Sequence, residues 1–134
     1  MVVGPINPEE ERRRIFRRYN PAINMKKRSQ KQYFVYITAS INKVLYIGYT
    51  DNLLKRIYQH KKGHYDNAFT KKYKVNKLIY WEIYDRKEDA LRREKELKGW
   101  KRDKKIALIE VYNQYMKDLY QEFIELYKAS TRLS

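Results

Sequence analysis

Three stretches of the chain concentrate β-branched and aromatic side chains, as strands of a packed sheet do. They are residues 33–38 (YFVYIT), 44–49 (VLYIGY) and 77–84 (KLIYWEIY). The short polar segment at residues 39–43 separates the first two and is typical of a tight turn. The pattern therefore predicts three strands, of which the first two form an antiparallel hairpin.

Apolar residues at helical spacing predict the remaining elements. The first helix follows the polar residues 50–52, where Asp51 can cap it, and continues to about residue 61, with Gly63 ending it. A helical turn is expected at residues 68–73. Longer helices are predicted at residues 87–98, 103–112 and 114–128.

This element order predicts an α+β fold, with a three-stranded, mainly antiparallel sheet flanked by helices. Helices must cover at least one face, because three strands alone bury too little apolar surface. Residues 33–128 are expected to form one domain. Residues 1–32 hold all three prolines and nine basic against three acidic side chains. They predict a basic arm that is either disordered or forms one short helix after Pro8.

Charge narrows the choice of partner. The chain of 134 residues has 31 Lys and Arg against 16 Asp and Glu, a formal net charge of +15, which favours a polyanion. The absence of Cys excludes disulfides and thiolate metal sites. No apolar run approaches the roughly 20 residues of a membrane span, and the first residues lack a signal-peptide pattern. We expect a cytoplasmic protein that binds nucleic acid, with no obligate protein partner.

Five side chains form a candidate catalytic set. Tyr36 and Tyr46 lie on the two hairpin strands, Arg56 and His60 are one helical turn apart, and Glu94 lies on a later helix. Phosphodiester hydrolysis requires a base for the attacking water, a cation beside the developing charge and stabilisation of the leaving oxygen. Each residue alone is weak evidence, because a strand tyrosine usually packs and a helix arginine is usually solvated. The combination favours nuclease chemistry.

The order and spacing of these residues resemble the GIY-YIG nuclease superfamily. Residues 34–36 (FVY) and 46–48 (YIG) match its paired signature, and Arg56 and His60 follow at the family's spacing. Residues 90–100 (ALRREKELKGW) are similar to the glutamate-bearing helix of small members related to bacterial UPF0213 proteins, and to the nuclease module of Slx-type endonucleases. The resemblance extends over about residues 33–120.

Two positions depart from the pattern. Phe34 stands where the signature has its first glycine, and Tyr49 stands where some relatives have lysine. Asn113 matches a late asparagine of some members only loosely. Glu96 is the fallback ligand if Glu94 is misaligned, although it points to another side of the helix.

The resemblance implies a role for each site residue. Glu94 would be the single protein carboxylate on Mg²⁺ or Mn²⁺, which prefer oxygen ligands and retain water. Arg56 would bind the phosphate, and Tyr36 or Tyr46 would help to deprotonate the attacking water, with the choice between them left open. His60 would orient a tyrosine or water, or act as the base itself. Gly48 would be structural, because it allows a close approach of the strand to the site.

Further basic and aromatic residues are expected to bind the substrate. Basic side chains near the site would follow the phosphate backbone without selecting a base sequence. These are Lys61, Lys62, Lys71, Lys72, Lys74, Arg92 and Arg93. Tyr49, Tyr65 and Trp100 are candidates for stacking on unpaired bases, and Trp100 equally fits a core position.

The leading hypothesis is a divalent-metal-dependent endonuclease that acts on DNA in preference to RNA, in branched or damaged forms typical of repair. The second hypothesis is a binding module that retains the fold without cutting. A third is a basic RNA-associated structural protein whose tyrosines only pack. Binding to a membrane surface is disfavoured, because the predicted helix at residues 114–128 has mixed charge rather than one basic and one apolar side.

Overall fold

A computed structural model describes residues 31–65 and 67–131, with backbone alone for the last two. The predicted arm lies outside the described residues except for Lys31 and Gln32. The strands are β1 (Tyr33–Ala39), β2 (Leu45–Thr50) and β3 (Lys77–Tyr84). The helices are α1 (Leu53–Lys61), α2 (Ala68–Tyr73), α3 (Lys87–Lys98), α4 (Arg102–Tyr112) and α5 (Tyr120–Thr131).

The strands form one antiparallel sheet in the order β2-β1-β3. In the hairpin register Tyr36 lies opposite Gly48, and on its other side it lies opposite Trp81. The Ser40 hydroxyl closes the turn by accepting hydrogen bonds from the amides of Asn42 and Val44, at 3.2 and 3.0 Å. The predicted α+β fold with a three-stranded antiparallel sheet is confirmed.

Helices cover both sheet faces, because alternate strand residues are apolar on each side. On the face that packs against α1 and α5 (the α1/α5 face), the buried residues are Phe34, Tyr36, Trp81, Leu53, Ile57 and Phe123. On the opposite face, which packs against α3 and α4 (the α3/α4 face), they include Val35, Ile37, Ile47, Ala90, Leu97 and Ile109. Burial of each valine, leucine, isoleucine or phenylalanine side chain in these sets contributes about 1.5–3 kcal/mol to folding.

Two details of the predicted helices are wrong. The first helix is capped by Asn52 rather than Asp51, since the Asn52 side chain accepts a hydrogen bond from the Lys55 amide at 3.1 Å. The last helix begins at Tyr120 rather than near residue 114. There the Leu119 amide donates to the Leu78 carbonyl at 2.7 Å, so the preceding segment lies along the start of β3 instead of coiling into a helix.

Candidate active site

Tyr36 occupies the centre of the site. It is fully buried on β1, and its phenol lies directly on the backbone of Gly48. A Cβ atom added at Gly48 would lie 2.4 Å from both Cζ and the hydroxyl oxygen of Tyr36, which no real Cβ contact tolerates. The close approach of the tyrosine ring therefore leaves no room for a side chain at position 48.

Arg56 reaches the Tyr36 hydroxyl from α1. Its Nη1 donates a hydrogen bond to the Tyr36 oxygen over 3.3 Å, and the side chain is half-buried. The position follows from the helix itself, because the neighbouring Ile57 is fully buried and fixes which side of α1 faces the sheet. The structure thus brings together Tyr36, Gly48 and Arg56.

Tyr46 adds a second phenol to this group. Its ring centroid lies 6.4 Å from that of Tyr36, and its side chain is half-buried. The Asn67 side-chain amide lies 3.4 Å from the Tyr46 hydroxyl oxygen and donates to it. Asn67 is itself held by a capping box with Thr70 at the start of α2. The α1/α5 face therefore presents two tyrosines, one of them beside a guanidinium.

His60 occupies a buried position at the end of α1. It is 0% exposed, with Nδ1 3.2 Å from the Val75 carbonyl oxygen and its ring 5.5 Å from that of Tyr65. Because a carbonyl only accepts, this contact requires the proton on Nδ1. These contacts join α1 to the segment before β3, and they place Tyr65 beside a buried histidine.

Glu94 lies on α3, whose buried Ala90 and Leu97 pack on the α3/α4 face. Its side chain is 20% exposed, and Oε2 is 3.4 Å from the ammonium nitrogen of Lys98. Within residues 31–65 and 67–131, no three His, Asp or Glu side chains gather as metal ligands. A partly exposed carboxylate in a surface ion pair fits a hard divalent ion that takes its other ligands from water and phosphate.

A buried polar cluster on the α3/α4 face was missed by the sequence analysis. Glu82 is fully buried and accepts from Nε and Nη2 of Arg93, at 3.0 and 3.1 Å, and from the hydroxyl of Tyr84 at 2.6 Å. The Tyr80 hydroxyl also donates to it. Burial, reinforced by Glu82, raises the pKa of Tyr80 well above its ordinary value, so this phenol remains a donor. The alternation of Tyr80, Glu82 and Tyr84 on one side of β3 was the available signal.

This cluster corrects the expectation for Arg93. The side chain is 12% exposed, pairs with both Glu82 and Glu96, and lies over the ring of Trp100 at 5.1 Å. It is thus an internal ion-pair partner rather than a surface group that follows phosphates. Trp100 packs against the core beneath Arg93, as its alternative interpretation predicted.

The other basic residues predicted to contact the substrate lie at the surface. Lys62, Lys71, Lys72 and Lys74 are exposed, as is Arg92, which pairs with Asp89 at 3.4 Å. Lys61 is also exposed, pairs with Asp118 and donates to the Asn76 carbonyl. Asn113, the loose match to a family asparagine, is buried against β3.

Tyr49 lies on the opposite side of the sheet from Tyr36. It packs against the α3/α4 core and stacks on Tyr33, with ring centroids 6.4 Å apart. Burial raises the pKa of its phenol. Tyr46 and Tyr49 lie on opposite faces of the sheet, because they are three residues apart on the same strand. The stacking of Tyr49 on an unpaired base stays a prediction.

None of the helices in the described part of the chain is both long enough and apolar enough to cross a membrane.

Comparison with known proteins supports the resemblance. A family model described as the GIY-YIG catalytic domain matches residues 32–107. A UPF0213 protein of Syntrophus aciditrophicus is 37% identical over 76 residues, 57% of this chain and 87% of that protein. One from Staphylococcus saprophyticus is 37% identical over 78 residues, 58% of this chain and 94% of that protein.

Among solved structures, the NMR structure of a UPF0213 protein from Bacillus halodurans matches with a TM-score of 0.44 and 28% identity, covering 65% of this chain and 92% of that one. The family model spans more than half of the chain and includes the hairpin, Arg56 and Glu94. The chain therefore belongs to the GIY-YIG family of nuclease domains and is similar to its small UPF0213 members.

Proposed function

We propose that this protein is an endonuclease that depends on a divalent metal and hydrolyses phosphodiester bonds of DNA in preference to RNA. The observation that carries the proposal is the hydrogen bond from Arg56 to the buried phenol of Tyr36, directly over Gly48. A guanidinium held in this way is ordered before substrate arrives, so less entropy is lost when its remaining N–H groups bind a phosphate.

The proposed reaction forms a bond between a water oxygen and phosphorus and breaks the bond from phosphorus to the leaving sugar oxygen. The water loses a proton and the leaving oxygen gains one. We assign the first proton transfer to Tyr46, because its side chain is only half-buried and its hydroxyl oxygen accepts a hydrogen bond from the Asn67 amide. Tyr36, which is fully buried, would instead hold Arg56 against the phosphate and its transition-state charge.

Glu94 is the proposed metal ligand, with Mg²⁺ or Mn²⁺ as the ion. When bound, the ion would supply positive charge for the leaving oxygen. Lys98 holds the Glu94 carboxylate in an ion pair on the surface of α3, and such a pair is weak enough to exchange for a stronger cation. His60 is assigned to support of α1, and through it Arg56, rather than to proton transfer.

The test is nicking of supercoiled plasmid in Mg²⁺ or Mn²⁺ against EDTA, comparing wild type with Glu94→Ala and with Glu96→Ala as the matched control. We expect cutting by wild type and Glu96→Ala in metal alone, and no cutting by Glu94→Ala. Cutting that is unchanged by Glu94→Ala would contradict the metal assignment. A structured RNA of similar length, run in parallel, tests the preference for DNA.

The alternative is a nucleic-acid-binding module that does not cut. The ion pair between Glu94 and Lys98 favours it, since a neutralised carboxylate is a poorer metal ligand. This alternative predicts that wild type and Glu94→Ala retard DNA equally on a gel in EDTA, and that neither cuts in any divalent metal.

A further inference from the structure

The short helix α2 carries two exposed aromatic rings. Phe69 is 45% exposed and Tyr73 is 37% exposed, and their ring centroids lie 4.8 Å apart. We call this pair the α2 platform. Because both rings keep more than a third of their surface exposed at one place, they form an apolar patch of the kind that suggests contact with a ligand.

The α2 platform is continuous with the candidate active site. The ring of Phe69 lies 6.3 Å from that of Tyr46, which in turn lies 6.4 Å from Tyr36. The helix is held in this place by the capping box of Asn67, whose amide also contacts Tyr46. A ligand on the platform would therefore lie next to Tyr46 and close to Arg56, which are both half-buried.

Charge around the α2 platform complements a polyanion. Lys71, Lys72 and Lys74 are exposed on the same short segment, and the Lys72 ammonium lies 5.2 Å from the ring centre of Tyr73. Residues 67–77 contain no acidic side chain. Aromatic rings interleaved with lysines are the arrangement that binds single-stranded nucleic acid, with bases on the rings and phosphates on the cations.

We propose that the α2 platform stacks unpaired bases of a single-stranded segment and leads its backbone to the site formed by Tyr36, Tyr46 and Arg56. The proposal rests on the proposed function, because it names the form of substrate that this same site receives. In a duplex each base face is covered by its neighbours, so an aromatic ring gains a stacking partner only where bases are unpaired. The open segment of a branched or damaged DNA meets this requirement.

The experiment measures binding without cleavage. Fluorescence anisotropy is recorded in EDTA on the full chain carrying Glu94→Gln, with a labelled single strand of about 12 nucleotides, the same strand with its central bases removed, and a matching duplex. The test variant adds Phe69→Leu and Tyr73→Leu, which keep apolar volume but lose the aromatic faces. Tyr115→Leu is the matched control, because Tyr115 is 84% exposed in the connection between α4 and α5. Phe69→Trp is the rescue variant that restores an aromatic ring.

We expect Phe69→Leu with Tyr73→Leu to weaken single-strand binding by roughly tenfold or more and duplex binding by less than about twofold. Removing the central bases from the single strand should weaken its binding to the parent protein by a similar factor. The same change should not alter its binding to the variant with Phe69→Leu and Tyr73→Leu. Tyr115→Leu should change neither single-strand nor duplex affinity. An equal loss on single strand and duplex, or no loss at all, would overturn the proposal. If the protein stacks unpaired bases but cuts nucleic acid in no divalent metal, the proposed nuclease function is contradicted and the α2 platform is not. If it cuts but does not stack unpaired bases, the α2 platform is contradicted and the nuclease function is not.

Discussion

The phenol of Tyr36 and the backbone of Gly48 lie in direct contact across the hairpin, with no room for a β-carbon between them. This contact joins the tyrosine of the first motif to the glycine of the second in this chain. The tyrosine of the first motif can be fully buried beside Arg56 only if the second motif ends in glycine. A change at either position should therefore affect both folding and the site.

Gly48→Ala is expected to destabilise the protein by about 1–3 kcal/mol, because the new methyl group must displace the Tyr36 ring. This displacement also moves the Tyr36 hydroxyl away from Arg56, so the rate of plasmid nicking should decrease as well as the stability. Gly99→Ala is the control, since its Cβ would meet nothing closer than 3.5 Å. Urea unfolding measures the difference, and equal midpoints for the two variants would contradict the close contact.

Tyr36→Phe removes the acceptor of the Arg56 hydrogen bond and keeps the ring in place. We expect plasmid nicking to fall roughly 10- to 100-fold, as for a displaced catalytic group. The free energy of unfolding should change by only about 1 kcal/mol. Tyr33→Phe, on the opposite face, is the control. If Tyr36→Phe cuts as fast as wild type, the proposed positioning of Arg56 is wrong.

The hairpin, β3 and most helix positions were predictable because strand and helix periodicities are local properties of the sequence. The sequence also indicated that Arg56 and Tyr36 belong to the same site, since both residues match the spacing of the family motif. The orientation of Tyr49 and the burial of Arg93 were not predictable, because they depend on which face each strand residue takes and on Glu82, whose burial was indicated only by its alternation with Tyr80 and Tyr84 on β3.

Arg93→Met is expected to destabilise the protein by about 3–5 kcal/mol, because it leaves Glu82 charged and buried without its cation. Arg92→Met, one residue away and 76% exposed, should change stability by less than about 0.5 kcal/mol. The double variant Glu82→Leu with Arg93→Met should recover part of the loss, because no buried charge remains. Denaturant unfolding of the set tests this, and a similar small effect for both arginines would refute the internal ion pair.

Tyr80 should make stability depend on alkaline pH. Its folded pKa is raised well above the ordinary value of 10.0, so both states bind the phenolic proton below that pH and the Glu82 hydrogen bond contributes in full. Above it the unfolded tyrosine ionises while the folded one does not, so stability falls as pH rises. Unfolding measured between about pH 9 and pH 11 should show a steeper decline for wild type than for Tyr80→Phe. Parallel curves for the two proteins would contradict the shift.

Asn113 is the C-cap of α4 and holds the segment that connects α4 to α5. Its side-chain amide donates to the carbonyls of Ile79 and Lys117, at 3.0 and 2.7 Å, and its carbonyl accepts from the Lys117 amide at 3.0 Å. Asn113→Ala removes the partners of three backbone groups at a buried position, so we expect a loss of about 2–3 kcal/mol. Gln114→Ala, at the exposed neighbouring position, should be nearly neutral. Because these hydrogen bonds attach the chain to β3, amide hydrogen exchange at Leu119 should be faster in Asn113→Ala but not in Gln114→Ala. Unchanged exchange in both variants would show that the bonds to β3 do not depend on the Asn113 side chain.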